Sequence, residues 1–230
     1  MWPNFFETGR YGSYSLSVSG GNEGVTYFVS GRYLSENGPF RNDGFGPPVN
    51  GLEYVEDANN KKQVSANVTF YATDKIRVRA NSMFVDGYVE IPENNNSIYG
   101  TISSIINSKP ENADERNPTG AVTTFGSIRE MMYRHASQST RRFAGSVGAN
   151  YTPVPSVSLD LTFGADVVGE QNVTFVPFGW NVDGLSAATP EGTRSVRDRN
   201  LRMFTVDGKA SWTDALSDRI SSALVVGAQA

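Results

Sequence analysis

From Val157 to Val167 the chain alternates without a break: Val157, Leu159, Leu161, Phe163, Ala165 and Val167 are apolar, while Ser158, Asp160, Thr162, Gly164 and Asp166 are polar or glycine. A two-residue period puts alternate side chains on opposite faces of an extended strand. At about 3.3 Å per residue the segment spans about 33 Å, and a tilt of about 40° leaves about 25 Å of height, the thickness of the apolar band of an outer-membrane barrel. Strands of soluble domains are commonly about 5–6 residues long, so this length, with both acids on one face, points to hydrocarbon against the other.

Further segments repeat the pattern. Tyr14, Leu16 and Val18 alternate with serines; Tyr27, Val29 and Tyr33 alternate with Phe28, Ser30 and Arg32, where Phe28 breaks the rule. Val64, Ala66, Val68 and Phe70 interleave with Ser65, Asn67 and Thr69, and Ile76, Val78 and Ala80 oppose Arg77, Arg79 and Asn81. Phe143, Val147, Ala149 and Tyr151 oppose Arg142, Ser146 and Asn150; weaker patterns follow at Phe204, Val206, Ala210 and Trp212, then at Ile220, Leu224, Val226 and Ala228. The expected architecture is all-β, an antiparallel up-and-down meander of about eight strands.

The connections alternate in size. Residues 20–24, 73–75, 152–156 and 213–218 are short turns rich in Gly, Pro, Asp and Asn, and between them lie long segments at about 35–60, 87–138 and 168–198. In a meander, alternate connections fall at opposite ends, so the short turns share one rim and the long loops the other. Outer-membrane barrels have this asymmetry, with short periplasmic turns and long extracellular loops. Tyr27, Phe70, Tyr71, Tyr151 and Trp212 flank the short turns, as an interfacial girdle would.

Composition excludes several classes. A net charge of -4 and no Lys/Arg-rich run leave no basic field for nucleic acid. Cysteine is absent, which removes disulfides and thiolate metal sites. No stretch approaches the about 18 apolar residues of a membrane helix, so any crossing is made by strands. The start, Met1-Trp2-Pro3-Asn4, has neither a basic nor an apolar leader region, so an exported protein would need more chain than this.

Nothing assembles a catalytic constellation, and no enzyme or cofactor is expected. His135, the single histidine, stands beside Arg134 in the long loop and reads as a solvated surface residue. Gly44-Phe45-Gly46-Pro47-Pro48 lacks the strand-turn-helix context of a phosphate loop. Glu36, Asp43, Glu53, Glu56, Asp57, Glu111, Asp114 and Glu115 read as solvated loop charge, and residues 35–60 and 107–120 as solvated loop. A short helix is expected within 126–138, with Ile128, Met131 and Met132 on one side. Loop aromatics Tyr99, Phe178 and Trp180 either stack on a solute or pack their own loops, the latter being the better reading. Arg77, Arg79, Arg142, Asp160 and Asp166 all fall on polar sides and are the candidate lumen-facing residues; an Arg on the lipid face near the midplane would cost about 2–4 kcal/mol.

Leu16-Ser17-Val18-Ser19-Gly20-Gly21 followed by Thr26-Tyr27-Phe28-Val29-Ser30-Gly31-Arg32-Tyr33 resembles the first barrel hairpin of SusC/RagA-type TonB-dependent receptors. Ser65–Phe70 with Thr73–Val78, then Arg142–Gly145 leading to Leu159–Leu161, are similar to the strands that follow. The resemblance implies a large transmembrane barrel with an N-terminal plug, energised through the TonB complex. It would lie in the lipid of the outer membrane of a Gram-negative, Bacteroidota-like cell. It would import glycans (oligosaccharides) or peptides beneath a SusD-like surface lipoprotein. Residues 1–230 then form a partial barrel domain, without signal peptide, plug or C-terminal strands. The rivals are a soluble secreted β-sandwich or solenoid used for binding or adhesion, and a self-contained eight-strand barrel.

Overall fold

The computed structural model describes residues 6–41, 47–93, 100–107, 109, 111, 127–184, 190–217 and 220–230. Eight strands run in sequence order through one antiparallel sheet: β1 (Arg10–Gly21), β2 (Val25–Asn37), β3 (Ala58–Thr73), β4 (Ile76–Pro92), β5 (His135–Val154), β6 (Val157–Val176), β7 (Thr193–Ser217) and β8 (Ile220–Gln229). Each pattern read from the sequence falls inside one of them. A single sheet has no second layer to face, so the sandwich is excluded. Among the described residues β1 and β8 each have one strand neighbour, so the sheet is open and the self-contained barrel is excluded too.

The short turns sit at one end, and the long connections at the other are shorter than the sequence suggested: 38–57, 93–134 and 177–192. The sequence estimate failed because apolar alternation ends near Val167 and Phe143, while backbone pairing continues to Val176 and His135. Hydrogen bonding between strands needs no apolar face. Polar side-chain ties help there, as between Gln138 and Asn172 at 2.9 Å and between Gln171 and Asp198 at 3.0 Å.

Directly opposed residues in an antiparallel pair share a face, so the registers trace rows across the sheet. One row reads Val18, Val29, Ala66, Ser82, Gly145, Ala165, Phe204, and the next reads Gly20, Tyr27, Val68, Ala80, Val147, Phe163, Val206. Rows of the other face read Ser17, Ser30, Ser65, Met83, Ala144, Asp166, Met203 and Ser19, Phe28, Asn67, Asn81, Ser146, Gly164, Thr205. One face is mainly hydrocarbon, interrupted by Ser82 and glycines, and the other mainly hydroxyl, amide and charge, with Phe28, Met83 and Met203 among them. Tyr27, Phe70, Tyr151 and Trp212 lie on the apolar face near the short turns, but Tyr71 does not. It opposes Arg77 on the polar face, one residue out of phase with Phe70. Gly20 sits opposite Tyr27, and a Cβ there would meet the phenol at 2.6 Å, so the glycine makes room for the ring.

The sheet itself carries little core. Leu16, Leu161, Phe163, Phe204 and Leu224 are all more than half or about half exposed. The buried cluster lies among the long connections, which hold two short helices, α1 (Thr101–Ile106) and α2 (Ile128–Met131). Val55, Ile105, Ile128 and Met132 form one cluster with Phe6, Phe40 and Tyr54 against it; Met131, Tyr133, Val176 and Trp180 form another, flanked by Val49, Leu52 and Val182. The three loops thus pack on each other as a cap. Residues 49–55 therefore contribute core, and the solvated reading of 35–60 is corrected: hydrophobics spaced among Asn, Gly and Pro meet partners from distant loops, which leaves no local period. The helix expected within 126–138 is one turn, with Ile128 and Met132 in one cluster and Met131 in the other.

Candidate functional site

Two features could act on a solute or a partner: the polar face and the cap. On the polar face the registers place Arg77, Asn150, Asp160 and Lys209 in one row, and Arg79, Thr162 and Asp207 in the adjacent row. Asp160 accepts from Asn150 Nδ2 at 2.9 Å and lies 3.8 Å from Lys209 Nζ. Arg142 grips Asp166 with two nitrogens, at 2.9 and 2.5 Å, across one step of the β5–β6 ladder. All five candidates share this face. Arg142 and Asp166 are brought together, Asp160 gains Lys209, and Arg77 and Arg79 follow each other two residues apart on β4. Lys209 was not foreseen because the pattern on β7 is weak and its pairing with Asp160 needs the register.

A groove of about 550 Å³ crosses the middle of the polar face, lined by Asn67, Asn81 and Met83 on one side and Asp166, Met203 and Thr205 on the other, with the small residues Ala144, Ser146 and Gly164 between them. Its lining combines amide, hydroxyl and carboxylate groups with two flexible thioethers. At the β1 edge, Arg32 donates to Ser13 Oγ at 3.1 Å and to the Tyr11 phenol at 3.3 Å. The arrangement is a hydrogen-bonding wall with charge of both signs, and it places no nucleophile beside a base.

The cap is held by a buried polar knot. Ser127 caps α2, its hydroxyl accepting from Glu130 N at 3.1 Å, while Glu130 Oε2 accepts from Ser127 N at 2.8 Å. Glu130 is fully buried, and its other oxygen accepts from Asp183 N at 2.9 Å. Asp183 in turn takes the Ser127 hydroxyl and the Arg129 guanidinium. This knot ties the loop before β5 to the loop after β6. Ser127-x-x-Glu130 is a capping-box sequence, so this part was readable and was missed. Tyr133 stacks on Tyr54 with centroids 4.7 Å apart, and its hydroxyl accepts from Val49 N at 3.2 Å. Burial pushes the Tyr54 phenol well above its ordinary range, and its hydrogen bond with Tyr133 pushes it further.

His135 is not a solvated loop residue. It is the first residue of β5, mostly buried, with Nδ1 at 2.6 Å from Glu90 Oε1 and Nε2 at 3.1 Å from the Glu53 carbonyl. The loop ends before it because β5 pairs with Pro92 and Phe175 at this level. Asp57 is likewise partly buried, accepting from Phe40 N at 3.1 Å, and burial raises its carboxyl above the usual range. Trp180 is 4% exposed and packs under Arg134 mainly against residues outside its own loop, Met131, Tyr133 and Val176, and Phe178 is 75% exposed, so neither simply packs its own loop. Tyr99, Asp43, Asp114, Glu115 and residues 44–46 lie outside the described residues.

Among solved structures, the chain aligns over 99% of its length with the RagAB peptide transporter, at a TM-score of 0.70 and 15% identity. The chain has the fold of a quarter of that protein. It spans 25% of the matched chain, and the same share of the RagAB peptide importer in its closed-closed state (TM-score 0.70) and its open-open state (0.68), again at 15% identity. No protein-family model and no curated protein sequence matches. At the level of fold, the likeness agrees with the SusC/RagA resemblance of the hairpin at 16–33. It extends over all eight strands, including β7 and β8, beyond the segments at 16–33, 65–78, 142–145 and 159–161 that carry the resemblance.

Proposed function

We propose that this chain is a stretch of wall from an outer-membrane importer, a partial barrel domain spanning residues 1–230, whose apolar face meets lipid and whose polar face lines the lumen. The observation that carries the reading is the two-faced sheet: rows such as Gly20, Tyr27, Val68, Ala80, Val147, Phe163 and Val206 back onto rows of Ser, Asn, Thr and paired charge. In water, so large an exposed apolar face drives association; in a bilayer it is the solvated surface. The fold shared with RagAB supports the same reading. With strands as wall and the loop cap on the outer side, the protein takes up nutrients of the peptide or oligosaccharide class and catalyses no reaction. Peptide is the better choice, since it is the cargo named for the transporter of like fold. In this reading Arg77, Arg79, Arg142, Asp160 and Asp166 present alternating charge to a passing zwitterionic solute. A SusD-like surface lipoprotein meets the cap, and the TonB complex supplies the energy.

The test is uptake of fluorescent short peptides by cells with and without the gene. Loss of uptake on deletion, and its abolition when the proton-motive force is collapsed, is the expected outcome. Unchanged uptake of both peptides and oligosaccharides, or recovery of the protein from the soluble fraction, overturns the proposal.

A further inference from the structure

In the middle of the polar face two carboxylates are already occupied: Arg142 holds Asp166, and Asp160 accepts from Asn150 Nδ2 and lies 3.8 Å from Lys209 Nζ. Arg79 and Asp207 are not. They stand at opposite ends of one row, Arg79, Gly148, Thr162, Asp207, and both are exposed. Neither side chain has a hydrogen bond or ion pair with another described residue. Arg77, two residues from Arg79 on the same face of β4, adds a guanidinium whose Nε is shielded from water and has no hydrogen-bond partner among the described residues. Lys209, two residues from Asp207 on β7, is turned to Asp160 instead. This row forms the turn-side margin of the groove, one step outside its lining. Read away from the turns, β4 therefore presents Arg79, Asn81 and Met83, and β7 presents Asp207, Thr205 and Met203. Between these walls the floor is low, made of small residues on β5 and β6. The Arg142–Asp166 pair closes the basin at one end and the Asn150–Asp160 pair at the other.

The spacing of the free charges is informative. From β4 to β7 is three strand spacings, about 14 Å, and an extended chain covers about 3.3–3.6 Å per residue, so about four residues bridge the gap. A cation at one end and a carboxylate at the other suit a ligand with a carboxylate and an ammonium at its own ends. Asn67 and Asn81, directly opposed on β3 and β4, offer side-chain amides to the peptide groups between them. The two thioethers adapt to apolar side chains of different shape. A neutral oligosaccharide would satisfy the amides and hydroxyls and leave both charges without a partner. We propose that this basin is a subsite for a free peptide of about four residues, lying across the strands with its C-terminal carboxylate at Arg79 and its N-terminal ammonium at Asp207. An apolar side chain of the peptide points along the groove toward Met83 and Met203. The inference rests on the reading that the polar face lines the transport path, and it gives the cargo a length, a direction and required end groups.

The test is titration calorimetry of the full-length protein in detergent micelles with the tetrapeptide Ala-Leu-Ala-Ala, its N-acetylated form and its C-amidated form. Wild type binds the free peptide about tenfold more tightly than either blocked form, the loss expected for one charge-assisted contact. Arg79→Gln weakens binding of the free peptide about tenfold and leaves the amidated form unchanged, and Asp207→Asn does the same for the free and acetylated forms. Arg79→Lys, which keeps the charge, retains most of the affinity. Equal affinities for the three peptides overturn the site, as does an Arg79→Gln loss of the same size for free and amidated peptide, which marks a structural effect. Displacement of the peptide by maltotetraose at matched concentration overturns the peptide as its occupant. Peptide uptake by cells separates the two levels. Uptake that is lost on gene deletion but untouched by Arg79→Gln and Asp207→Asn sinks the subsite alone, whereas uptake indifferent to deletion sinks the importer reading itself.

Discussion

Replacing Leu161 by Arg puts a charge near the middle of the apolar band without any steric complication. Its row neighbours are Ala149 on β5 and Gly208 on β7, so a longer side chain has room, and the cost is one of solvation. Leu161 is four residues from Val157 and six from Val167. With about 3.3 Å per residue and a tilt of about 40°, it lies about 10 Å from one edge of the band and about 15 Å from the other. At that depth an Arg facing lipid costs about 2–4 kcal/mol. The folding equilibrium of the full-length protein in phospholipid vesicles therefore shifts by roughly 30- to 1,000-fold. Thr162→Arg is the matched control, one residue away and on the polar face opposite Asp207. It shifts stability by no more than about 0.5 kcal/mol, as surface substitutions do. The assay is urea unfolding in vesicles, followed by tryptophan fluorescence. Leu161 is 58% exposed in the sheet as it stands. If water were its solvent, both substitutions would be equally mild, and equal midpoints for the two variants would refute the reasoning.

Glu130→Ala strips the acceptor from the buried Ser127 and Asp183 N–H groups and costs the cap about 2–4 kcal/mol. Hydrogen exchange then rises together in 127–133 and 180–184 while the sheet stays protected. Gly192 has φ of +69°, and a Cβ there would collide with the Val176 and Pro177 carbonyls. Gly192→Ala thus exceeds the about 1–2 kcal/mol left-handed penalty. Gly184→Ala, at φ +65° in open space, shows that penalty alone in the same thermal melts. His135 lies eight residues beyond Phe143, outside the membrane-spanning part of β5, and both its ring nitrogens face acceptors, so only the imidazolium satisfies both. The Glu90 hydrogen bond raises its pKa above 6.5. The clasp on the loop carrying Glu53 is therefore complete below pH 6.5 and is lost as pH rises through the raised value. Exchange in 47–57 increases over that interval, and Glu90→Gln flattens the profile.

How far the sequence could be read follows from where solvent differs across the sheet. Between Val157 and Val167 each face meets a different medium, and the alternation is complete. Above Val167 both faces carry polar groups, so β6 continues nine residues to Val176 with no pattern to announce it. The same holds for His135–Arg141 on β5, so the sequence alone gives no sign that His135 belongs to a strand. The cap core was hidden for another reason: Val55, Ile105 and Ile128 lie far apart in sequence, as do Tyr133 and Trp180, and each set meets only when the loops pack. Of the charged face, the parity of Arg77, Arg79, Arg142, Asp160 and Asp166 was legible. The pairing of Asp160 with Lys209 required the β6–β7 register.

The most direct measurement is a cysteine scan of β6. Residues 1–230 contain no cysteine, so each single replacement from 157 to 167, read against the unreplaced protein, reports on this stretch of wall. In intact outer membranes, 158, 160, 162, 164 and 166 react with a small charged thiol reagent, and 157, 159, 161, 163, 165 and 167 react only with one that dissolves in lipid. Uniform reaction of all eleven positions with the charged reagent, or protection of both sets from the lipid-soluble one, contradicts a wall between hydrocarbon and water.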